Sequence, residues 1–165
     1  MKKKIKRSQY LGQPASFAHG EQKFDSEPTN GRIYVMYHGT TLAAAEQIIK
    51  NGFRQSPDGM LGRGVYVSRD EDKAARYPLG DKSDQVILKL HVNVGKVKKI
   101  DRQRHPMQKT WHDKGFDTAW VPHCCGMVDS GLEEDCVWDP DRIKVVWIPN
   151  RIETEIGRNE PNRKV

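Results

Sequence analysis

Gln85-Val86-Ile87-Leu88-Lys89-Leu90-His91-Val92-Asn93-Val94 is the stretch on which the reading of the fold turns. Side chains of an extended chain alternate between two faces, so Val86, Leu88, Leu90 and Val92 fall on one side and Lys89, His91 and Asn93 on the other. That is the pattern of a half-buried strand, with His91 as a surface or edge residue. Upstream, residues 32–38 carry the β-branched and aromatic content of another strand. Thr40 or Thr41 can cap a helix over 42–50, where Ala44, Ile48 and Ile49 stand at near-helical spacing, and Asn51-Gly52 stops it. A loop over 54–62 leads to a short strand at 65–68 and a short helix over 70–77, closed by Pro78. Downstream come a strand pattern at 96–100, a charged helical or loop region over 103–114, the stretch 116–121, and strands at 135–138 and 143–148 parted by a turn at Asp139-Pro140. Several short strands with a few short helices predict an α+β domain dominated by antiparallel sheet.

The 165 residues suit one domain with a modest core, and no apolar run is long enough to span a bilayer, so no membrane partner is expected. Residues 1–31 read as a basic, polar N-terminal arm, 32–149 as the folded domain and 150–165 as a charged C-terminal tail. The formal net charge is +6, but Lys2, Lys3, Lys4, Lys6 and Arg7 supply most of it. With no aromatic residues interleaved for base stacking, the arm is a candidate for weak contact with RNA or an acidic partner and no evidence of a dedicated nucleic-acid site. No apolar stretch or cleavage site follows it, so a secretory signal is not expected. Three cysteines, two of them adjacent (Cys124, Cys125), make a poor disulfide framework and fit a reducing compartment. The expected location is the cytoplasm, with the nucleus open through the basic arm. His123 beside that pair, with His105, His112 and Cys136, raises zinc, but the spacing of a tetrahedral site is missing and no metal is expected.

Three further stretches carry chemistry: Tyr37-His38-Gly39-Thr40, Gly62-Arg63-Gly64-Val65-Tyr66, and Glu133-Glu134-Asp135-Cys136-Val137-Trp138. Singly, each has a bland reading: His38 satisfying a strand end, Tyr66 and Tyr77 as core aromatics, Glu134 as a solvated edge charge. Together they point to a ligand-binding site. Glycines beside Tyr66 weaken a strand, a liability that close approach of a ligand explains better than stability does.

In this order the stretches resemble the ADP-ribosyltransferase fold of poly(ADP-ribose) polymerase catalytic domains, with its His–Tyr–Glu signature. The likeness spans residues 32–148 and includes Gly52-Phe53, Asp72-Lys73-Ala74-Ala75-Arg76-Tyr77, Gly115-Phe116-Asp117 and the run from Glu134 to Ile143. Among short members it is most similar to the interferon-inducible Gig-type proteins of fish, which implies an antiviral innate role. The resemblance implies a split antiparallel β-sheet core with a few short helices, and NAD as co-substrate. It places Glu134, His38 and Tyr66 as catalytic residues, and His38, Gly39, Thr40, Tyr66, Ser68, Ala74 and Tyr77 as the NAD-binding set. His38 would bond the adenosine-side ribose, the Gly39 backbone would grip the nicotinamide carboxamide, and Tyr66 and Tyr77 would cover the two faces of the cationic ring. Glu134 would bond the 2′-hydroxyl of the nicotinamide ribose and stabilise an oxocarbenium-like centre. Glu133 competes for that role, and the five-residue spacing to Asp139 favours Glu134. Ala74 departs from the family, whose small hydroxyl residue there adds a hydrogen bond of roughly 1 kcal/mol to the amide.

The implied activity transfers ADP-ribose from NAD to a protein acceptor and releases nicotinamide. One alternative is a catalytically silent module that binds NAD or ADP-ribose. Another is an RNA 2′-phosphotransferase, which leaves Tyr66, Tyr77 and Glu134 unexplained. Deleting residues 1–7 is expected to leave NAD turnover unchanged and to weaken any salt-sensitive association with RNA or acidic proteins, measured by nicotinamide release and by binding at two ionic strengths.

Overall fold

The computed structural model of the protein describes residues 26–149 and residue 152. The alternating stretch forms β3 (Gln85–Asn93), the centre of a three-stranded antiparallel sheet, between β1 (Ile33–Thr41) and β7 (Ile143–Trp147). Its alternation is as expected: Val86, Leu88, Leu90 and Val92 are buried, and the residues between them are only partly so. A second sheet runs β2 (Val65–Val67), β6 (Glu134–Val137), β5 (Thr118–Val121), β4 (Val97–Lys99). Its pairs are antiparallel except β4 with β5, where the long connection over 100–117 gives the chain room to return in the same direction. The architecture is the expected α+β arrangement of two small sheets and a few short helices.

β1 runs three residues further than the sequence predicts, because Gly39, Thr40 and Thr41 stay in register with Ile87, Val86 and Gln85. Thr41, rather than Thr40, caps α1 (Leu42–Asn51), its Oγ1 accepting from the Ala44 N–H at 3.2 Å. α2 (Glu71–Ala74) is shorter than the predicted 70–77; Asp70 caps it and the chain turns after Ala74, with the Tyr77 N–H donating to the Ala74 carbonyl. Residues 26–31, read as the end of an arm, are bonded to the domain instead. Asn30 Oδ1 accepts from the Val97 N–H, the Gly31 N–H donates to Gly95, and the Ser26 carbonyl accepts from Arg69. Residues 1–25, including the basic run, lie outside the described residues.

The second sheet has an apolar cluster on each face. Met36, Leu88, Leu90 and Val92 meet Val65, Val67, Trp120 and Val137 between the sheets; Leu61, Ile100, Trp111, Ala119, Val121 and Cys136 pack on the far side. All four residues of β5 and all four of β6 are therefore buried, acids included. Ile152 is fully buried in the inter-sheet cluster, its N–H donating to the Pro149 carbonyl at 2.9 Å. The packed domain thus passes the predicted boundary at 149, since an apolar residue just beyond Pro149 finds core surface within reach. Ile152→Ala is expected to cost about 2–5 kcal/mol, read as a lower urea midpoint at unchanged m-value.

Candidate active site

The two sheets touch where β1 passes the end of β2. Tyr37 and Ser68 exchange two backbone hydrogen bonds, of 2.7 and 3.1 Å. One residue further the strands part: the Tyr66 carbonyl is taken by the ring of His38, whose Nδ1 lies 2.7 Å away. A carbonyl only accepts, so Nδ1 carries the proton and Nε2 is left as the other polar atom of the ring. Phe53 meets that ring edge-on, with centroids 5.2 Å apart. In an antiparallel strand alternate residues direct their N–H and C=O to the same side, so those of Gly39 point the way those of Tyr37 do, into the gap.

The gap is a cleft of about 670 Å³, within the range of small-molecule sites. His38, Gly39, Thr40, Tyr66, Ser68, Ala74, Tyr77 and Glu134 all line it. The β2–β6 register explains one wall. Tyr66 is opposite Cys136, and Glu134, two residues along, shares that face. The Tyr66 hydroxyl donates to the Gly62 carbonyl at 2.6 Å and accepts from the Leu61 N–H at 3.0 Å, which fixes the ring. Ligand approach is not what requires the glycines. A Cβ on Gly64 would lie 2.4 Å from Cys136 Sγ, and one on Gly39 would lie 1.8 Å from the Ala74 carbonyl oxygen. Packing within the chain thus accounts for both glycines, and Gly39 in doing so seats the end of α2, with Ala74 and Tyr77, beside β1.

Ser68 is a wall residue whose hydroxyl hydrogen is already committed: Oγ donates to the Glu133 carbonyl at 2.8 Å and accepts from the Asp70 N–H. The two adjacent glutamates part as strand alternation requires. Glu133 is 0 % exposed and ion-paired to Arg69 at 2.7 Å, away from the cleft, whereas Glu134 lines it. Lys73, absent from the predicted site, is buried with its Nζ 3.9 Å from Glu134 Oε1 and 6.0 Å from the centre of the Tyr77 ring. Phe53 and Lys73 both stand inside the quoted motif segments, but a lysine on a short polar helix reads as surface until the helix is docked.

Burial lowers the His38 pKa, against the opposing pull of its bond to the Tyr66 carbonyl, so the ring is neutral at pH 7. Burial raises Glu134, and the Lys73 ammonium opposes that shift. Burial also raises the phenols of Tyr66 and Tyr77, with the charge of Glu134 adding to both. Asp135, on the opposite face of β6, is pushed well above the carboxylate range by burial and by Glu133, with Arg69 opposing. Neither of its oxygens has a hydrogen-bond partner among the described residues. No three metal-binding side chains converge among the described residues.

Comparison with known proteins bears on this cleft. The family model "Poly(ADP-ribose) polymerase catalytic domain" matches residues 5–120, starting inside the stretch read as an arm and ending before Glu134. The chain is 30% identical over 116 residues to protein mono-ADP-ribosyltransferase PARP3 of Gallus gallus, a match covering 68% of this chain and 21% of that protein. It is 31% identical over 64 residues to the Homo sapiens protein of the same name, covering 38% of this chain and 12% of that one. The chain thus matches about a fifth or less of the length of these relatives.

The buried acids set a pH dependence. A carboxyl whose folded pKa is raised keeps its proton in the fold while the unfolded chain has released it, so stability falls as pH rises from the unfolded value through the folded one. Asp135→Asn is expected to flatten that fall, being more stable than wild type at pH 8 and close to it at pH 4. Glu134→Gln is expected to flatten it less, because Lys73 already offsets part of the shift. Urea denaturation across pH measures both.

Proposed function

This chain belongs to the poly(ADP-ribose) polymerase catalytic-domain family, and on that premise we propose that it transfers ADP-ribose from NAD to a protein acceptor and releases nicotinamide. The observation that carries the reading is the convergence of His38 from β1, Tyr66 from β2 and Glu134 from β6 on one cleft. The Gly39 N–H and C=O, side by side on the open edge of β1, complement a carboxamide, which offers one acceptor and one donor. Tyr66 and Tyr77 supply aromatic faces for a cationic ring. Neutral His38 offers Nε2 to a ribose hydroxyl. The Glu134 carboxylate bonds the 2′-hydroxyl and favours positive charge at C1′ as the glycosidic bond breaks. The bonding pair leaves with the nicotinamide nitrogen, the acceptor's lone pair closes on C1′, and the acceptor loses its proton.

The cytoplasm as compartment and an antiviral innate response as setting belong to the same reading, supported by the cysteine usage and by the likeness to Gig-type proteins. Mass spectrometry of the protein incubated with NAD tests the activity, with an ADP-ribose adduct expected. Glu134→Gln is expected to lower nicotinamide release about 100-fold or more while keeping the rise in Tm that benzamide gives. That rise should shrink in Tyr77→Ala, a change at a 39 % exposed residue that spares the core. If benzamide gave no shift and a 2′-phosphorylated RNA did, the phosphotransferase reading would replace this one; a benzamide shift without any adduct or nicotinamide release would leave a binding module.

A further inference from the structure

Glu133 never reaches the cleft, yet five hydrogen bonds end on it. Arg69 gives three, from its backbone N–H (3.2 Å) and Nε (2.8 Å) to Oε1 and from Nη2 (2.7 Å) to Oε2; Trp120 Nε1 gives a fourth, to Oε2 at 2.9 Å; Ser68 Oγ gives a fifth, to the Glu133 carbonyl at 2.8 Å. Arg69 is 2 % exposed and Glu133 0 %. A buried ion pair of this kind seldom stabilises a fold more than two well-packed apolar side chains would. The cost is greater here, because Asp135, fully buried on the same face of β6, adds a second carboxyl with no hydrogen-bond partner among the described residues. Stability therefore gives a poor account of the cluster, and its position gives a better one.

Glu134 is the first residue of β6, paired with Val121, the last residue of β5, and everything from 122 to 133 is loop or turn. A terminal ladder residue is where a strand frays. The grip on Glu133 lies one peptide bond before it. It reaches Arg69 and Ser68, which directly follow β2, and Ser68 is bonded in turn to Tyr37, the neighbour of His38. One connected set of bonds thus ties the strand ends that carry Glu134, Tyr66 and His38.

We propose that Arg69 is a positioning residue: by holding Glu133 it keeps Glu134, at the first position of β6, aimed into the cleft. The consequence for turnover rests on the transferase reading; the consequence for the Glu134 side chain does not. The 165-residue chain is compared with Arg69→Lys, which keeps the charge and loses the planar fork, and with Arg69→Met/Glu133→Gln, which removes both charges together and leaves Trp120 an acceptor. The groups facing Glu134 are Lys73 of α2, Tyr77 of the turn after it, Tyr66 of β2, His38 of β1 and Cys136 of its own strand, and all stay unchanged.

Carboxyl NMR, with Glu134 assigned by its loss in Glu134→Gln, is expected to show its titration falling toward that of an ordinary glutamate in the double variant, as the side chain swings out to water. The rise in Tm with benzamide should persist. The kcat for nicotinamide release should drop about 10- to 100-fold with KM for NAD within about threefold, the effect of misplacing a reacting group by an ångström. Arg69→Lys should fall between, and it decides the matter alone if the double variant does not fold. Folded variants with wild-type Glu134 titration and kcat would overturn the proposal. So would joint loss of kcat, KM, benzamide binding and Tm, which describes a purely structural pair. A wild-type protein that releases no nicotinamide would sink the transferase reading, and the titration would still decide the role of Arg69.

Discussion

Two backbone hydrogen bonds between Tyr37 and Ser68 are the constraint on which the rest of this molecule depends. They join, backbone to backbone, sheets that among the described residues otherwise meet through side chains. Beyond them the strands must separate, because His38 takes the Tyr66 carbonyl that a continued ladder would have used. A site forms at that separation for a general reason. Strand edges that stop pairing leave polar backbone groups to be satisfied by something other than the chain. Gly39 sits at that point, and its missing Cβ is what lets the carbonyl end of α2 close the other side of the gap.

How much of this was legible depended on how each element meets water. β3 has one dry face and one wet face, so its period of two stood out and its inward residues were readable one by one. β5 and β6 are covered on both faces; the strand at 135–138 was readable, but with two acids opening β6 its burial was not, because that depends on the register. The site residues were legible for another reason. They recur as a family succession, and the cleft gathers all eight of them. What was missed, Lys73 and Ile152, shares a cause: each is an ordinary residue in a polar stretch, buried only because a distant element lies over it. The meaning of the glycines was missed because a sequence cannot say which neighbour occupies the space that a Cβ would need.

Strand alternation explains why one short segment carries three acids in three conditions. Glu133 and Asp135 face away from the cleft, the first ion-paired and hydrogen-bonded, the second with no bond partner; Glu134 faces the cleft beside a lysine. All three are buried, so what separates them is the partner each finds. Chains rarely retain such an arrangement for stability, and local rules are broken most often where a site must be held.

The polarity of the cleft argues on chemical grounds between the readings of this fold. His38 is neutral with its proton committed to a carbonyl, so Nε2 can only accept, which suits a hydroxyl. Among the described residues Lys73 is the cation paired with Glu134, at 3.9 Å, and a carboxylate at that distance already draws on its charge. A phosphate placed there would compete with that carboxylate for one ammonium and would meet the lone pair of Nε2 on another wall. A cationic ring joined to a ribose meets the reverse: aromatic faces, an acceptor for one hydroxyl, and a carboxylate for another and for the charge that grows as the ring departs. The balance of acceptors over donors at the reacting end of the cleft therefore favours a glycosidic bond to a cationic base over a phosphorylated ribose.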